Sequence, residues 1–128
     1  HDVIVTFDTL AGRVLVHMDA NNDGVFAGGE RRQVHHLDPA IVFGRAGAPA
    51  RPFGAGVVSF PAGPSGLPTL VFRRNGSASL AGGAYLTTLS AAQGNPKRLS
   101  DTRAIELVRA TGRVEWFRYT GGAWRRGF

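Results

Sequence analysis

Ile105-Glu106-Leu107-Val108, a turn at Thr111-Gly112, and then Val114-Glu115-Trp116-Phe117 form the stretch from which the fold can be read. Apolar and polar residues alternate on both sides of the turn, which is the period of a β-strand and not of a helix. Along the second arm Val114, Trp116 and Arg118 point one way, and Arg113, Glu115, Phe117 and Tyr119 the other. Apolar residues therefore stand on both faces of this pair, so both faces call for cover. A helix that is not in this chain is one candidate for covering one of them.

Working outward, the same period predicts strands over 2–7, 13–18, 32–37, 57–60, 69–74, 77–81, 84–89, 103–109 and 113–119, with a weaker one over 122–126. Ala11-Gly12 separates the first pair, and Asn75-Gly76 is a strong hairpin signal between 69–74 and 77–81. The stretch from Gly44 to Gly66, broken by Pro49, Pro52, Pro61 and Pro64, reads as an extended loop around the short run Val57–Phe60. Ser90–Ser100 reads as a second loop. There is no internal repeat and no linker, so residues 1–128 are expected to form one domain. The expected fold is mainly β, an antiparallel two-sheet sandwich with no helix longer than about three turns.

Eighteen glycines and seven prolines fit a chain with many turns, and no apolar run is long enough to cross a membrane as a helix. The absence of cysteine excludes disulfides, thiol catalysis and Cys-ligated zinc. The chain starts at His1 and enters a strand almost at once, which reads as a trimmed or processed product. The net charge of +6 is uneven. Residues 1–38 hold three arginines against six acids, residues 39–96 four arginines and no acid, and residues 97–128 eight basic residues against three acids. A basic C-terminal half is a footprint for nucleic acid or anionic lipid; arginines scattered over solvated strand faces are the plainer reading.

One motif is sharp. Asp19-Ala20-Asn21-Asn22-Asp23-Gly24-Val25-Phe26-Ala27-Gly28-Gly29-Glu30 fits the twelve-position calcium loop. In that reading Ca²⁺ takes side-chain oxygens from Asp19, Asn21, Asp23 and Glu30 and the carbonyl of Val25, with a structural role. The flanks look like strands, so the loop belongs at a hairpin tip and not in a helical EF-hand. The other reading is an Asx-rich hairpin loop without an ion, turning at Asn22-Asp23-Gly24. His17, His35 and His36 flank it, but alternation puts His35 and His36 on opposite faces, so at most two of the three meet. Gly63-Pro64-Ser65-Gly66 lacks the spacing of a nucleophile elbow, and there is no phosphate loop or dinucleotide fingerprint. No catalytic constellation emerges, and a non-enzymatic protein is expected.

Several segments, taken in order, carry a resemblance. They are Val3-Ile4-Val5-Thr6-Phe7-Asp8, the strand ending in Asp19-Ala20-Asn21-Asn22-Asp23-Gly24, and Gly29-Glu30-Arg31. Leu70-Val71-Phe72-Arg73-Arg74-Asn75-Gly76-Ser77-Ala78 and Thr111-Gly112-Arg113-Val114 follow. Over nearly the whole chain their order and spacing resemble the GspH/FimT family of minor pilins and pseudopilins. The resemblance implies the head of a pilin-type α+β fold whose long hydrophobic N-terminal helix, absent here, follows a cleaved leader. It implies a structural subunit of a type II secretion pseudopilus or a type IV pilus in the bacterial cell envelope. The full-length protein would be anchored in the inner membrane before assembly, with its head periplasmic or extracellular. Its partners would be other pilin or pseudopilin subunits, met through the missing helix, and the head alone is expected to be a monomer.

Some FimT-like members take up DNA through a Gly-Arg-x-Arg motif. Here Gly112-Arg113-Val114-Glu115 keeps the first arginine and puts Glu at the second. The candidate DNA contacts are then Arg113, Arg118, Arg125 and Arg126, with Trp116, Tyr119 and Trp124 near enough in sequence to stack, and weak, non-specific binding is the expectation. A calcium-dependent adhesive or carbohydrate-binding domain is the third reading.

Overall fold

In the opening hairpin a carboxylate helps to set the register. Asp8 Oδ1 accepts a hydrogen bond from the Ala11 amide (3.1 Å), Asp8 Oδ2 accepts one from Arg13 Nε (2.9 Å), and Gly12 takes the left-handed conformation (φ 66°). The Arg13 hydrogen bond, seconded by the Ala11 amide, holds the Asp8 carboxyl below its ordinary range. From this turn the pairing runs from Asp8 opposite Arg13 to Asp2 opposite Asp19.

The computed structural model describes residues 2–20, 30–94 and 98–127. Its strands are β1 (Asp2–Asp8), β2 (Arg13–Asp19), β3 (Arg32–His36), β4 (Ile41–Phe43), β5 (Thr69–Phe72), β6 (Gly82–Thr88), β7 (Arg103–Leu107), β8 (Val114–Thr120) and β9 (Ala123–Arg126). Two antiparallel sheets result, one ordered β3-β2-β1-β5 and the other β4-β6-β7-β8-β9. The mainly β, two-sheet architecture expected from the alternation is the one the chain adopts.

Several local expectations need correction. Residues 57–60 do not form a strand of their own. Val58 makes an isolated bridge to Ala84, and the Ser59 and Tyr85 amides bond to the carbonyls of Gly83 and Val57. The same edge of β6 is taken further along by β4, a strand too short to give a period-2 signal. The chain thus leaves the β6 edge after Phe43, travels through residues 44–56, and returns to that edge at Val57.

Residues 77–81 are not a strand either. The Asn75-Gly76 turn forms, with the Arg73 amide bonded to the Ser77 carbonyl (2.8 Å) and Gly76 at φ 89°. Beyond it the Ala78 amide turns to Arg109 and only Ser79 returns to Val71, so the second arm is shared between two partners. Within the expected loop 90–100 and just before it sit a one-turn helix, α1 (Leu89–Ala92), N-capped by Thr88, and a 3₁₀ turn at Leu99–Asp101.

Two apolar clusters hold the chain together. Phe60, Leu70, Ala78 and Leu107 lie between the sheets, with Val5, Phe7, Val58 and Phe72 packed against them. Tyr85, Ala104 and Phe117 lie on the opposite face of the second sheet, with Phe53 and Trp124.

Candidate functional site

The second sheet treats its two faces differently. Alternation and register put Tyr85, Ala104, Glu106, Glu115, Phe117 and Trp124 on one face. The excursion 44–56 lies over it. The Phe53 ring stacks on Tyr85 at 4.7 Å, and the Arg51 guanidinium lies over the Phe117 ring at 3.9 Å. Each buried polar group there has a partner. The Tyr85 hydroxyl donates to the Gly54 carbonyl (2.6 Å) and accepts from the Arg51 amide (2.7 Å). Arg51 Nε reaches Glu106 Oε1 at 2.5 Å, and Trp124 Nε1 donates to the Pro49 carbonyl at 2.9 Å. Gly83 makes the cover possible, because a Cβ there would meet the Phe53 ring at 2.9 Å.

The other face carries Leu86, Ile105, Leu107, Val114 and Trp116, and it looks toward the first sheet. Between the sheets is a cleft of about 210 Å³ whose lining is apolar, with Val5, Phe7 and Val14 on one wall and Leu86, Ile105 and Val114 on the other. Phe7 links the two walls, stacked on Phe60 (centroids 5.5 Å, 17°) and edge-on to Phe43 (6.4 Å, 83°). The cover is incomplete: Val114 is 55% exposed and Trp116 38%.

The four arginines proposed as DNA contacts divide between these faces. Arg113 and Arg126 converge on Glu115, at 2.6 and 2.9 Å. Arg118 and Arg125 stand opposite each other on the cleft-side face, and Arg118 also faces Arg103 across β7. The structure therefore brings together Arg103, Arg118 and Arg125, and not the expected four. Burial, and then the Arg118 charge, lower the Arg103 pKa from its ordinary value. Arg103 gives no signal on its own in the sequence, because its neighbour on β8 depends on where the Val108–Arg113 turn closes. Once Leu107 is known to face Val114, counting back gives Arg103 opposite Arg118. Arg51 gave no sequence signal, since its partners come from strands more than thirty residues away.

Of the calcium-loop residues, Asn21, Asp23 and Val25 lie outside the described residues. Asp19 ends β2 and is buried, and Glu30 Oε2 accepts a hydrogen bond from the Ala20 amide at 2.5 Å. Among the described residues no group of three metal-ligating side chains forms, and His35 and His36 alternate along β3 opposite Val14 and Arg13.

What the arrangement offers chemically is a surface for contact: an apolar cleft continued by a row of guanidinium groups. Neither a family model, nor a curated protein, nor a solved structure matches this chain.

Proposed function

We propose that this chain is the β head of a pilin- or pseudopilin-like filament subunit, a structural protein and not an enzyme, with a helix seated in the cleft between its two sheets. The observation that carries the reading is the incompletely covered apolar face of the second sheet, from Leu86 and Ile105 to Val114 and Trp116. Apolar surface kept from water contributes roughly 25 cal/mol per Å², so a helix laid along this face adds stability that the β domain alone does not have. A pilin-type α+β subunit supplies such a helix, and the order of segments resembling GspH/FimT points to the same architecture.

The reading is tested on the gene. Its frame upstream of His1 is expected to encode a cleavable leader followed by a helix with about 20 apolar residues. Hydrogen exchange of the longer product, in detergent, is expected to show slower exchange in β6 and β7 than in the 128-residue chain. A frame with no apolar helix, or equal exchange in both products, would sink it.

A further inference from the structure

Three like charges in direct cross-strand register are unfavourable, and the chain nevertheless places them so. Arg103 faces Arg118, and Arg118 faces Arg125, across three neighbouring strands. Among the described residues none of the three is in an ion pair. Asp101 is near enough to act on Arg103, but its carboxylate accepts from the Thr88 hydroxyl at 2.8 Å. Arg103 and Arg125 are held in place by backbone carbonyls, Arg103 Nη1 on Ser100 O (2.7 Å) and Arg125 Nε on Thr120 O (3.3 Å), contacts that orient a guanidinium without neutralising it. The strand acids of this sheet, Glu106 and Glu115, face each other on the opposite surface, where Arg51, Arg113 and Arg126 meet them. Charge is thus separated by face: paired on the face that carries the covering loop, and without an ion pair among the described residues beside the cleft.

The row continues the cleft wall. Arg103 is opposite Leu86 and two residues from Ile105, both of which line the cleft. Neighbouring strands are about 4.8 Å apart, so the three positions span roughly 10 Å. That is close to the width of one α-helix with its side chains, about 10–12 Å.

We infer that the segment seated in the cleft is an amphipathic helix that carries carboxylates in the terminal turn lying over Arg103, Arg118 and Arg125. This rests on the cleft reading above and adds to it the chemistry of the occupant and the end that meets the arginines. Apolar side chains fill the cleft, and the carboxylates set how far along the helix lies. A nucleic-acid strand fits less well. Three arginines neutralise about three phosphates, which gives weak, salt-sensitive binding, and the adjoining apolar wall would stay bare.

The test uses a surface-displayed library of 20-residue peptides with leucines at helical i, i+3, i+4, i+7 spacing and the remaining positions drawn from Glu, Lys, Gln and Ser. It is sorted for binding to the 128-residue chain at low salt. The sorted peptides are expected to concentrate Glu in one terminal turn. They should bind the Arg118→Gln/Arg125→Gln variant about tenfold more weakly and keep most of their affinity for Arg118→Lys/Arg125→Lys. Both side chains are exposed, and matching thermal melts confirm that the variants are folded. Leucine-striped helices that bind equally well without acidic bias would overturn the inference and leave the cleft reading standing. Recovery of no helical peptide would overturn both. Tight binding of a short DNA duplex that survives near-physiological salt and is lost in the Arg→Gln variant would overturn it in favour of nucleic acid.

Discussion

The two faces of the β4-β6-β7-β8-β9 sheet carry similar kinds of residue and end up in different states. Under residues 44–56 the aromatic rings stack, the Tyr85 hydroxyl bonds on both sides and Arg51 meets Glu106, while on the same face Arg113 and Arg126 meet Glu115. Toward the cleft, Leu86, Ile105 and Val114 are only partly covered, and Arg103, Arg118 and Arg125 stand in a row. The covering loop is covalently part of the chain and brings partners for the Tyr85 hydroxyl, Glu106 and the Trp124 indole, as burial requires. Among the described residues the cleft side has no such loop. The lesson is that apolar alternation on both sides of a strand pair sets the demand for cover, and only the chain elsewhere decides whether it meets that demand itself.

Truncation on the covered face should cost most. Tyr85→Ala removes a fully buried ring and both hydrogen bonds of its hydroxyl, and should lower unfolding stability by about 3–5 kcal/mol in urea titrations. A loss below about 1 kcal/mol would break the comparison, because residues 44–56 would then be resting on the sheet without sealing it. Gly83→Ala should follow at about 1–3 kcal/mol, since the new Cβ meets the Phe53 ring and the Ile105 carbonyl. Arg51→Met keeps an unbranched apolar stem but leaves the half-buried Glu106 without its cation and Phe117 without the guanidinium above it. It should cost about 1–2 kcal/mol and lose much of that effect in the Glu106→Gln background. Additive losses in the double variant would show that the pair does not act as a unit.

How far this was legible beforehand can be argued element by element. Strands β1, β2 and β8 alternate over seven residues each, long enough for the period to show, and the glycines at 12 and 112 mark the turns that lead into β2 and β8. β4 has three residues, and Val57–Ser59 shares an edge with it, so pairing there is set by β6 and not by local pattern. The Ser77–Ala81 run carried a strand signal that lost to a tertiary partner, the Arg109 carbonyl. For the basic site, alternation was enough to separate Arg113 from Arg118. It did not reveal Arg103, because cross-strand neighbours follow from register and register follows from the turn. The calcium-type loop remains a reading of sequence, with its central ligands Asn21 and Asp23 outside the described residues.

The smallest effect is expected at the open face, and its smallness is what makes it informative. Val114 lines the cleft at the start of β8, pairs with Leu107 and is 55% exposed. Threonine is nearly the same shape and suits a strand, so Val114→Thr should change the stability of the isolated chain by less than about 0.5 kcal/mol. If a helix covers the cleft, the same substitution buries a hydroxyl against an apolar stripe with no partner assured, at about 1–3 kcal/mol. The variant should therefore look neutral in urea titrations of the 128-residue chain and weaken a seated helix by about fivefold or more. A large loss already in the isolated chain would mean that this wall is an ordinary core surface, complete without a partner, and the contrast between the two faces would disappear.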